Sequence, residues 1–242
     1  MASMVYETPA LLLQTRDLPG MDRLGIFYTR EYGLITILVK GVKKSQSKLQ
    51  YRLRERALVE IEFVLGKTFP RLTAIRDGDQ FSDFLESANQ LAIQSSIVEW
   101  ILHLVEEGHE DPELFEAILT SLALTREVGH QAPRFVLSWM LVRWMALLGF
   151  GLETGQCVRT GVTKSSQFGM SVRAGGLVTK AASAGLDDWV PVTSQEILRM
   201  RQWQRGRVER GKIPWQIIEY SIRWYGIPVE SLGLLRIYSG NI

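Results

Sequence analysis

Five short apolar runs in the first 80 residues constrain the fold more than any other feature of this chain. The runs are five to nine residues long and are separated by segments containing Gly, Pro, Asp or Lys; they cover residues 10–15, 23–29, 34–42, 59–66 and 71–75. Runs of this length between turn residues are typical of β-strands. We therefore predict a small, closed antiparallel barrel. An open sheet packed on a helix is the alternative, but no strong helical pattern interrupts the five runs.

The pattern changes near residues 75–83, where Asp and Gly end the strand-like part. Beyond this point apolar residues recur at helical spacing. The sequence therefore predicts a multi-domain α+β protein with a strand-rich domain at residues 1–80 and an α-helical domain at residues 81–242. A segment rich in Gly, Ser and Thr at about residues 151–192 has no strong period and is predicted to be an insert.

Residues 135–152 form the most apolar stretch of the chain, but Arg143 lies near its middle. A charge at that position is costly in lipid, so we predict a buried helix rather than a membrane span. The first residues lack the basic segment of a signal peptide. A single cysteine, Cys157, excludes an intramolecular disulfide framework and suits a reducing compartment. These features predict a soluble, cytoplasmic protein.

Positive charge is concentrated between residues 39 and 56 although the whole chain is nearly neutral, with 28 Lys and Arg against 26 Asp and Glu. Only Glu55 opposes the cations of this stretch, which are Lys40, Lys43, Lys44, Lys48, Arg52, Arg54 and Arg56. Alternation from Tyr51 onward predicts an extended strand with three arginines in a row above an apolar face. A cationic loop beside such a strand suits a phosphate backbone. The alternative is a solvated charged edge that discourages aggregation.

Aromatic residues near this stretch offer possible stacking surfaces for bases. They are Phe27, Tyr28, Tyr32 and Tyr51, and core or hairpin positions are the alternative for each.

A second basic cluster at residues 199–212 surrounds Trp203 and contains one acid, Glu209. It fits a second nucleic-acid surface, a helix that engages an acidic partner, or an amphipathic surface helix.

Catalytic motifs are absent from the sequence. The three histidines, His103, His109 and His130, stand in no metal-ligand or nucleophile motif, and the chain has no phosphate-binding glycine loop. We therefore predict that the protein is not an enzyme and needs no cofactor.

The opening of the chain resembles the bacterial recombination mediator family RecO. Residues 10–49 follow the N-terminal pattern of that family, with matches at Asp22, Arg23, Thr29, Arg30, Gly33, Lys40 and Gly41. Residues 111–124 and 134–153 resemble its helical core in order and spacing. The resemblance implies an N-terminal OB-fold barrel, an α-helical domain and a small zinc-ribbon-like insert.

The resemblance also implies a function and a set of binding residues. Such proteins bind single- and double-stranded DNA and anneal complementary strands. Together with RecR, they also help to load RecA onto strands covered by single-strand-binding protein. These activities imply a cytoplasmic, nucleoid-associated location. We therefore expect DNA binding at the seven cations of residues 39–56 together with Arg23 and Arg30. A general OB-fold nucleic-acid-binding module and an adaptor that binds no DNA remain the alternatives.

Two further expectations follow from this resemblance. Many members bind zinc with two pairs of cysteines, which here correspond to Cys157 with Thr160 and Thr179 with Ala182; one thiol cannot complete that site, so we expect no metal. The acidic tail of single-strand-binding protein needs an apolar pocket rimmed by cations. We expect it on the helical domain near Trp139 and Trp144, with the arginines Arg134, Arg143, Arg199, Arg201, Arg205 and Arg207.

Overall fold

A computed structural model of the chain describes residues 4–44, 46–76, 87–129, 131–228 and 230. The chain divides into two compact units, residues 1–116 and 117–242. The boundary predicted at residue 80 lies outside the described residues, because residues 77–86 are not among them. The predicted domain bounds therefore stay a prediction, and the two units are described separately.

The first unit contains the five predicted strands. They are β1 (Val5–Asp17), β2 (Arg23–Thr29), β3 (Gly33–Val39), β4 (Leu58–Val64) and β5 (Arg71–Arg76). Neighbouring strands follow the order β1-β2-β3-β5-β4, and β4 pairs back with β1. A β-sheet region followed by helices confirms the α+β class.

One seam of this barrel differs from the prediction of a closed antiparallel barrel. Four strand pairs are antiparallel, but β3 and β5 run parallel and are joined through a single bridge between Leu38 and Arg71. The prediction of an antiparallel barrel is therefore wrong at this one strand pair. A five-stranded, partly open barrel is the arrangement of the OB fold.

Alternation along the strands places the barrel core. Val59, Ile61 and Phe63 on β4 are buried, as are Phe27 and Ile37 on the neighbouring strands, whereas Glu60 is exposed. Burial of each large apolar side chain contributes about 1.5–3 kcal/mol. This shared interior fixes the strand register, because a slip by one residue would turn these side chains to solvent.

Several residues that match the RecO pattern build turns of the barrel. Thr29 Oγ1 donates to the carbonyl of Gly33 at 2.9 Å and accepts from the N–H of Tyr32, which closes the β2–β3 turn. Gly33 has φ of 62°, and a Cβ there would lie 2.1 Å from the carbonyl oxygen of His109. A larger residue at this position would therefore clash with backbone as well as adopt an unfavourable conformation.

Two long helices follow the barrel strands. Helix α2 (Ala88–Leu104) begins after Ser87, whose side chain accepts from the N–H of Gln90. Helix α3 (Pro112–Val128) begins after Asp111, whose Oδ1 accepts from the N–H of Leu114 at 2.9 Å. The division between the two units falls inside α3.

The second unit is mainly helical. It contains α4 (Pro133–Leu147), α5 (Ser194–Gln204) and α6 (Trp215–Trp224). A capping box of Thr193 and Glu196 opens α5. The buried helix that the sequence predicts corresponds to α4, in which residues 135–141 are all buried. None of the helices in the described part of the chain is long and apolar enough to cross a membrane.

A small sheet lies within the predicted insert. Its strands are β6 (Phe168–Ser171), β7 (Gly176–Thr179) and β8 (Val190–Val192), with β6 in the centre and both pairs antiparallel. The insert therefore has a regular fold of its own. Its likeness to a zinc ribbon stays a prediction.

Candidate nucleic-acid interface

The loop that follows β3 carries two exposed lysines. Lys40 and Lys44 are exposed, and neither side chain has a hydrogen-bond or ion-pair partner among the residues described. Both ammonium groups are therefore accessible to an incoming phosphate. Their exposure is compatible with both interpretations of the sequence, a phosphate-binding loop and a solvated charged edge.

Backbone contacts hold this loop in place. The N–H of Gly41 donates to Asp22 Oδ1 at 2.7 Å, and the N–H of Lys43 donates to the carbonyl of Met21 at 3.1 Å. Both acceptors lie in the β1–β2 connection, so the two loops are joined side by side. A loop restrained in this way loses less conformational entropy when it binds a ligand.

Arg23 and Lys43 share one carboxylate, that of Asp17. Arg23 Nε lies 2.6 Å from Asp17 Oδ1, and Lys43 Nζ lies 3.3 Å from Asp17 Oδ2. Lys43 Nζ also donates to the carbonyl of Leu18 at 3.1 Å. The hydrogen bonds that Asp17 accepts from Arg23 and Lys43 lower the pKa of its carboxyl below the usual range, and the bond from Arg23 has the larger effect. Both predicted DNA-binding cations are thus already paired within the barrel.

The prediction of an extended, arginine-lined strand at residues 51–56 is wrong. Residues Lys48–Arg52 form a short helix, α1, and the chain then turns, with Arg56 at φ of 66°. Leu53 and Ala57, four residues apart, are both buried. Packing of these two residues into the barrel is compatible with a helix and turn, so the short alternation of arginines did not define a strand.

The three arginines of this segment have different surroundings. Arg52 Nη1 donates to the carbonyl of Ile75 in β5 at 2.7 Å, whereas Arg54 Nε donates to the carbonyl of Tyr51 at 3.2 Å. Arg56 is half-buried, and its Nε is enclosed without a hydrogen-bond partner. These contacts give Arg52 and Arg54 structural roles. Whether any of the three also binds DNA stays a prediction.

Two other predicted cations lie outside this group. Lys48 is the first residue of α1. Arg30 follows β2, is exposed, and has its Nε 3.6 Å from Glu116 Oε1. An exposed ion pair of this length contributes little to stability, so Arg30 can exchange its carboxylate partner for a phosphate at small cost.

Most of the predicted stacking aromatics belong to the core. Phe27 and Tyr28 are fully buried, and Tyr32 packs edge-on against Phe63 with ring centroids 5.4 Å apart. For these three residues the core alternative is correct. Tyr51 on α1 is 71% exposed and is the one of the four whose ring is available to a base.

The opposite charge marks another part of the barrel surface. Glu7 on β1 and Glu62 on β4 are direct register partners, and Arg76 on β5 forms ion pairs with both. Glu60, exposed on β4, is the register partner of Arg76. Three carboxylates and one guanidinium leave this surface acidic. Phosphate is therefore expected at the loop after β3 and not along β1, β4 and β5.

The arginines predicted to bind an acidic partner are mostly engaged within the second unit. Arg143 donates to the carbonyl of Gln204, Arg199 to that of Lys212, and Arg201 to that of Thr154, at 2.6–2.7 Å. The guanidinium of Arg134 lies 5.3 Å from the centre of the Trp215 ring. Arg205 and Arg207 are exposed and have no side-chain partner among the described residues.

Trp139 and Trp144, near which the sequence predicts the partner pocket, are interior residues. Trp139 and Trp144 are 1% and 0% exposed, so they hold α4 in the core. An apolar pocket in the second unit has lining residues from α4, which carries both tryptophans, and from α5, α6 and the segment after α4. They include Leu141, Met145, Phe150, Gln204, Ile217 and Tyr225. The sequence did not identify Phe150 as a lining residue, because it lies after the end of α4 and so outside the helical pattern of apolar residues.

Cys157 lies where the resemblance places the first zinc ligand. Its thiol is hydrogen bonded to the Thr160 side chain and to the backbone at Thr179, so positions assigned to the zinc site do come together. Burial raises the pKa of the thiol, but these bonds and those from the backbone of Arg159 and Thr160 lower it to about 7. The donors here are one thiol and two hydroxyls, which do not fit a structural zinc site.

Among the residues that the structure describes, no group of three or more His, Cys, Asp or Glu side chains converges on a point that could hold a metal ion. His130 lies outside those ranges. That the protein binds no metal stays a prediction.

Family profiles match nearly the whole chain. The family described as Recombination protein O N terminal matches residues 1–81, and the one described as Recombination protein O C terminal matches residues 85–218. The chain belongs to the RecO family. The resemblance noted in the sequence is therefore confirmed, and the chain has the role of this family in DNA repair and recombination.

Relatives along most of the chain carry the same family name. The DNA repair protein RecO of Desulfitobacterium hafniense (strain DSM 10664 / DCB-2) is 26% identical over 220 residues, which cover 87% of this chain and 78% of that protein. The DNA repair protein RecO of Thermobifida fusca (strain YX) is 26% identical, and that of Cutibacterium acnes (strain DSM 16379 / KPA171202) is 28% identical. Each of these two alignments covers 72% of both chains. The names of these RecO proteins describe repair and no catalytic activity.

Proposed function

We propose that this RecO protein binds single- and double-stranded DNA through the loop after β3 and anneals complementary strands. The observation that carries the proposal is the pair Lys40 and Lys44, which are exposed and unpartnered within the described residues on a loop restrained by Asp22 and Met21. Each neutralised phosphate releases counterions and gives affinity that is independent of sequence. Tyr51, exposed nearby in sequence on α1, supplies a stacking surface for a base.

Binding that ignores sequence is what an annealing protein requires. Phosphate contacts leave the Watson–Crick edges of the bases free, so a held strand can still pair with its complement. With RecR, the protein then helps to load RecA onto strands covered by single-strand-binding protein. This role places it at the nucleoid in the cytoplasm.

A matched pair of double variants tests the interface. Lys40→Gln with Lys44→Gln is expected to weaken binding of labelled oligothymidine and to flatten the plot of log affinity against log salt by about 1.4, that is about 0.7 for each lost contact. Lys67→Gln with Lys164→Gln removes the same charge from two exposed lysines outside the proposed site. Equal affinities and equal salt slopes for the two double variants would refute the assignment of DNA binding to this loop.

Strand annealing separates the proposal from its two alternatives. The wild-type protein is expected to speed the pairing of complementary strands, whereas a general OB-fold module would bind strands without this effect. An adaptor protein would shift no labelled strand in a gel. Annealing that proceeds at the rate of the protein-free control would leave the general module as the better description.

We also propose that the apolar pocket of the second unit binds the acidic tail of single-strand-binding protein. Such a peptide needs an apolar anchor site with a cation beside it. Phe150 is 52% exposed at the pocket, and Arg205 follows the lining residue Gln204 directly and has no partner in the described part of the chain. The proposal therefore keeps Arg205 from the predicted partner surface and takes as its apolar part the pocket lined by α4, the helix that carries Trp139 and Trp144.

Fluorescence anisotropy of a labelled acidic peptide with apolar C-terminal residues measures this binding. Phe150→Ala and Arg205→Gln are each expected to weaken it several-fold in the full chain. Phe69→Ala is the matched control, because Phe69 is also exposed, at 39%, but belongs to the barrel unit. If Phe69→Ala weakens peptide binding and the other two variants do not, the peptide binds the barrel unit and the proposal is refuted.

A further inference from the structure

The segment that follows α5, residues 207–212, carries three cations on a loop whose backbone is attached to the interior. We call it the basic loop. Its cations are Arg207, Arg210 and Lys212, all exposed, and Glu209 is its one acid. None of the three cationic side chains has a hydrogen-bond or ion-pair partner within the residues the structure describes.

Three carbonyl oxygens of the basic loop accept hydrogen bonds from buried or half-buried side chains. Trp139 Nε1 donates to the carbonyl of Arg207 at 3.1 Å, and Trp203 Nε1 donates to that of Glu209 at 2.9 Å. Arg199 Nη1 donates to the carbonyl of Lys212 at 2.6 Å. Both indole rings are almost wholly buried. The loop is thus held at three points along six residues.

This attachment has two physical consequences. The three carbonyl oxygens would repel an anion if they faced solvent, but here they are occupied by donors of the protein itself. The loop is also ordered before any ligand arrives, so binding requires little further loss of backbone entropy. The outcome is a pre-ordered surface whose charged groups are mainly cations.

The chemistry of the surface favours a phosphate backbone over an acidic peptide with apolar residues. Val208, 45% exposed, is the only large apolar side chain of the loop, and the indole rings that contact its backbone are buried. An apolar peptide anchor therefore has no pocket here. Guanidinium groups match the geometry of phosphate oxygens and bind them through paired hydrogen bonds.

We infer that the basic loop is a second DNA-binding site, separate from the lysine loop of the barrel, and that one chain uses the two sites to hold two strands. This inference rests on the proposed function, because it assigns the second strand of the annealing reaction. Strand pairing requires that two polyanions approach each other. A second cationic site reduces the repulsion between them by neutralising phosphates on the second strand.

A two-strand capture experiment tests the inference with the full-length protein. Biotinylated oligothymidine is immobilised, the protein is bound to it, and capture of a labelled oligothymidine that cannot pair with it is measured. Arg207→Gln with Arg210→Gln is expected to reduce capture of the second strand several-fold and to flatten its salt dependence by about 1.4. Binding of the first strand is expected to stay within twofold of wild type.

Lys164→Gln with Arg223→Gln is the matched control, since it removes two exposed cations from the same unit and has no expected effect. Lys212→Gln alone provides a second test that removes one charge instead of two, and it is also expected to reduce capture of the second strand. Unchanged capture by both basic-loop variants would overturn the inference.

Two other results would also overturn it, and each names a different role. Equal loss of first- and second-strand binding would make the basic loop part of a single DNA site. Loss of a labelled acidic peptide with unchanged strand capture would make the loop a peptide-binding surface. Failure of the wild-type protein to hold the first strand would instead refute the proposed DNA-binding function, so the two failures are distinguishable.

Discussion

Replacement of Asp17 by asparagine is expected to strengthen DNA binding. Asp17 lies between Arg23 and Lys43, with N–O distances of 2.6 and 3.3 Å. Its lowered pKa means that the carboxylate is charged throughout the neutral range. It therefore offers both cations an anionic partner similar to the one a phosphate would provide. Asparagine has the same size and can still accept hydrogen bonds, but it no longer holds the two cations by charge.

The expected size of the effect follows from the number of cations that Asp17 occupies. Each phosphate contact with a single strand contributes about −0.7 to the slope of log affinity against log salt. Release of two cations therefore steepens the slope by up to about 1.4. Between 50 and 200 mM salt, a fourfold range, the variant is expected to lose about sevenfold more affinity than the wild type.

Anisotropy titrations of labelled oligothymidine at four salt concentrations measure both slopes. Asp187→Asn is the matched control, because Asp187 forms a similar ion pair with Arg173 at 2.6 Å in the second unit. Its slope is expected to equal that of the wild type. If Asp17→Asn gives an unchanged or flatter slope, Asp17 positions the two cations for DNA and does not withhold them, and the reasoning is refuted.

The remaining predictions concern stability and metal content. Arg52→Met is expected to lower the free energy of unfolding by about 1–2 kcal/mol in urea titrations, because the carbonyl of Ile75 loses a charged donor; an unchanged midpoint would contradict this role. The pKa of the Cys157 thiol is lowered from an ordinary value of 9.0 to about 7 in the folded protein. The fold therefore favours the thiolate, which contributes its full stabilisation above pH 9, and this contribution is lost as pH falls through 7. Wild type is therefore expected to gain melting temperature between pH 6.5 and 9 relative to Cys157→Ala, and parallel curves would refute this. Purified protein is expected to contain no stoichiometric zinc, and a chelator is expected to leave its melting temperature unchanged; one zinc per chain by elemental analysis would overturn this expectation.

Strand positions in this chain were predictable because burial on one face is strongly encoded. Val59, Ile61 and Phe63 alternate with Glu60 and Glu62, which leaves one choice of inward face. Helix starts were predictable for a similar local reason: Asp111 and Thr193 both accept from the first turn of the helix that follows them. Each of these signals depends on residues within a few positions of one another.

The error at residues 51–56 shows where local pattern is insufficient. Three arginines at alternate positions fit a strand, but the N–H of Leu53 donates to the carbonyl of Leu49 and extends a helical turn. The segment is only six residues long, so the buried Leu53 within it and the buried Ala57 directly after it are compatible with a helix and turn as well as with a strand. The tertiary contact of Arg52 with β5 could not be read from the sequence.

The candidate site was predictable in composition but not in the availability of its charges. The sequence identifies cations, and the fold decides which of them already have an anionic or carbonyl partner. Lys43 and Lys44 are neighbours in sequence, yet Lys43 is held by Asp17 and Leu18 whereas Lys44 is not paired within the described residues. This difference depends on the β1–β2 connection, more than twenty residues away.

Arginine and lysine are used differently in this protein for a physical reason. A guanidinium presents five donors in a plane and remains charged when half-buried, so it can hold a backbone carbonyl and still carry positive charge. Arg143, Arg199 and Arg201 do this in the second unit. Arg199 shows the consequence most directly, because its contact with the carbonyl of Lys212 helps to fix the basic loop. Of these three arginines, Arg199 supports the proposed second DNA site and does not form it, whereas Arg207, from the same predicted set, lies on the basic loop itself.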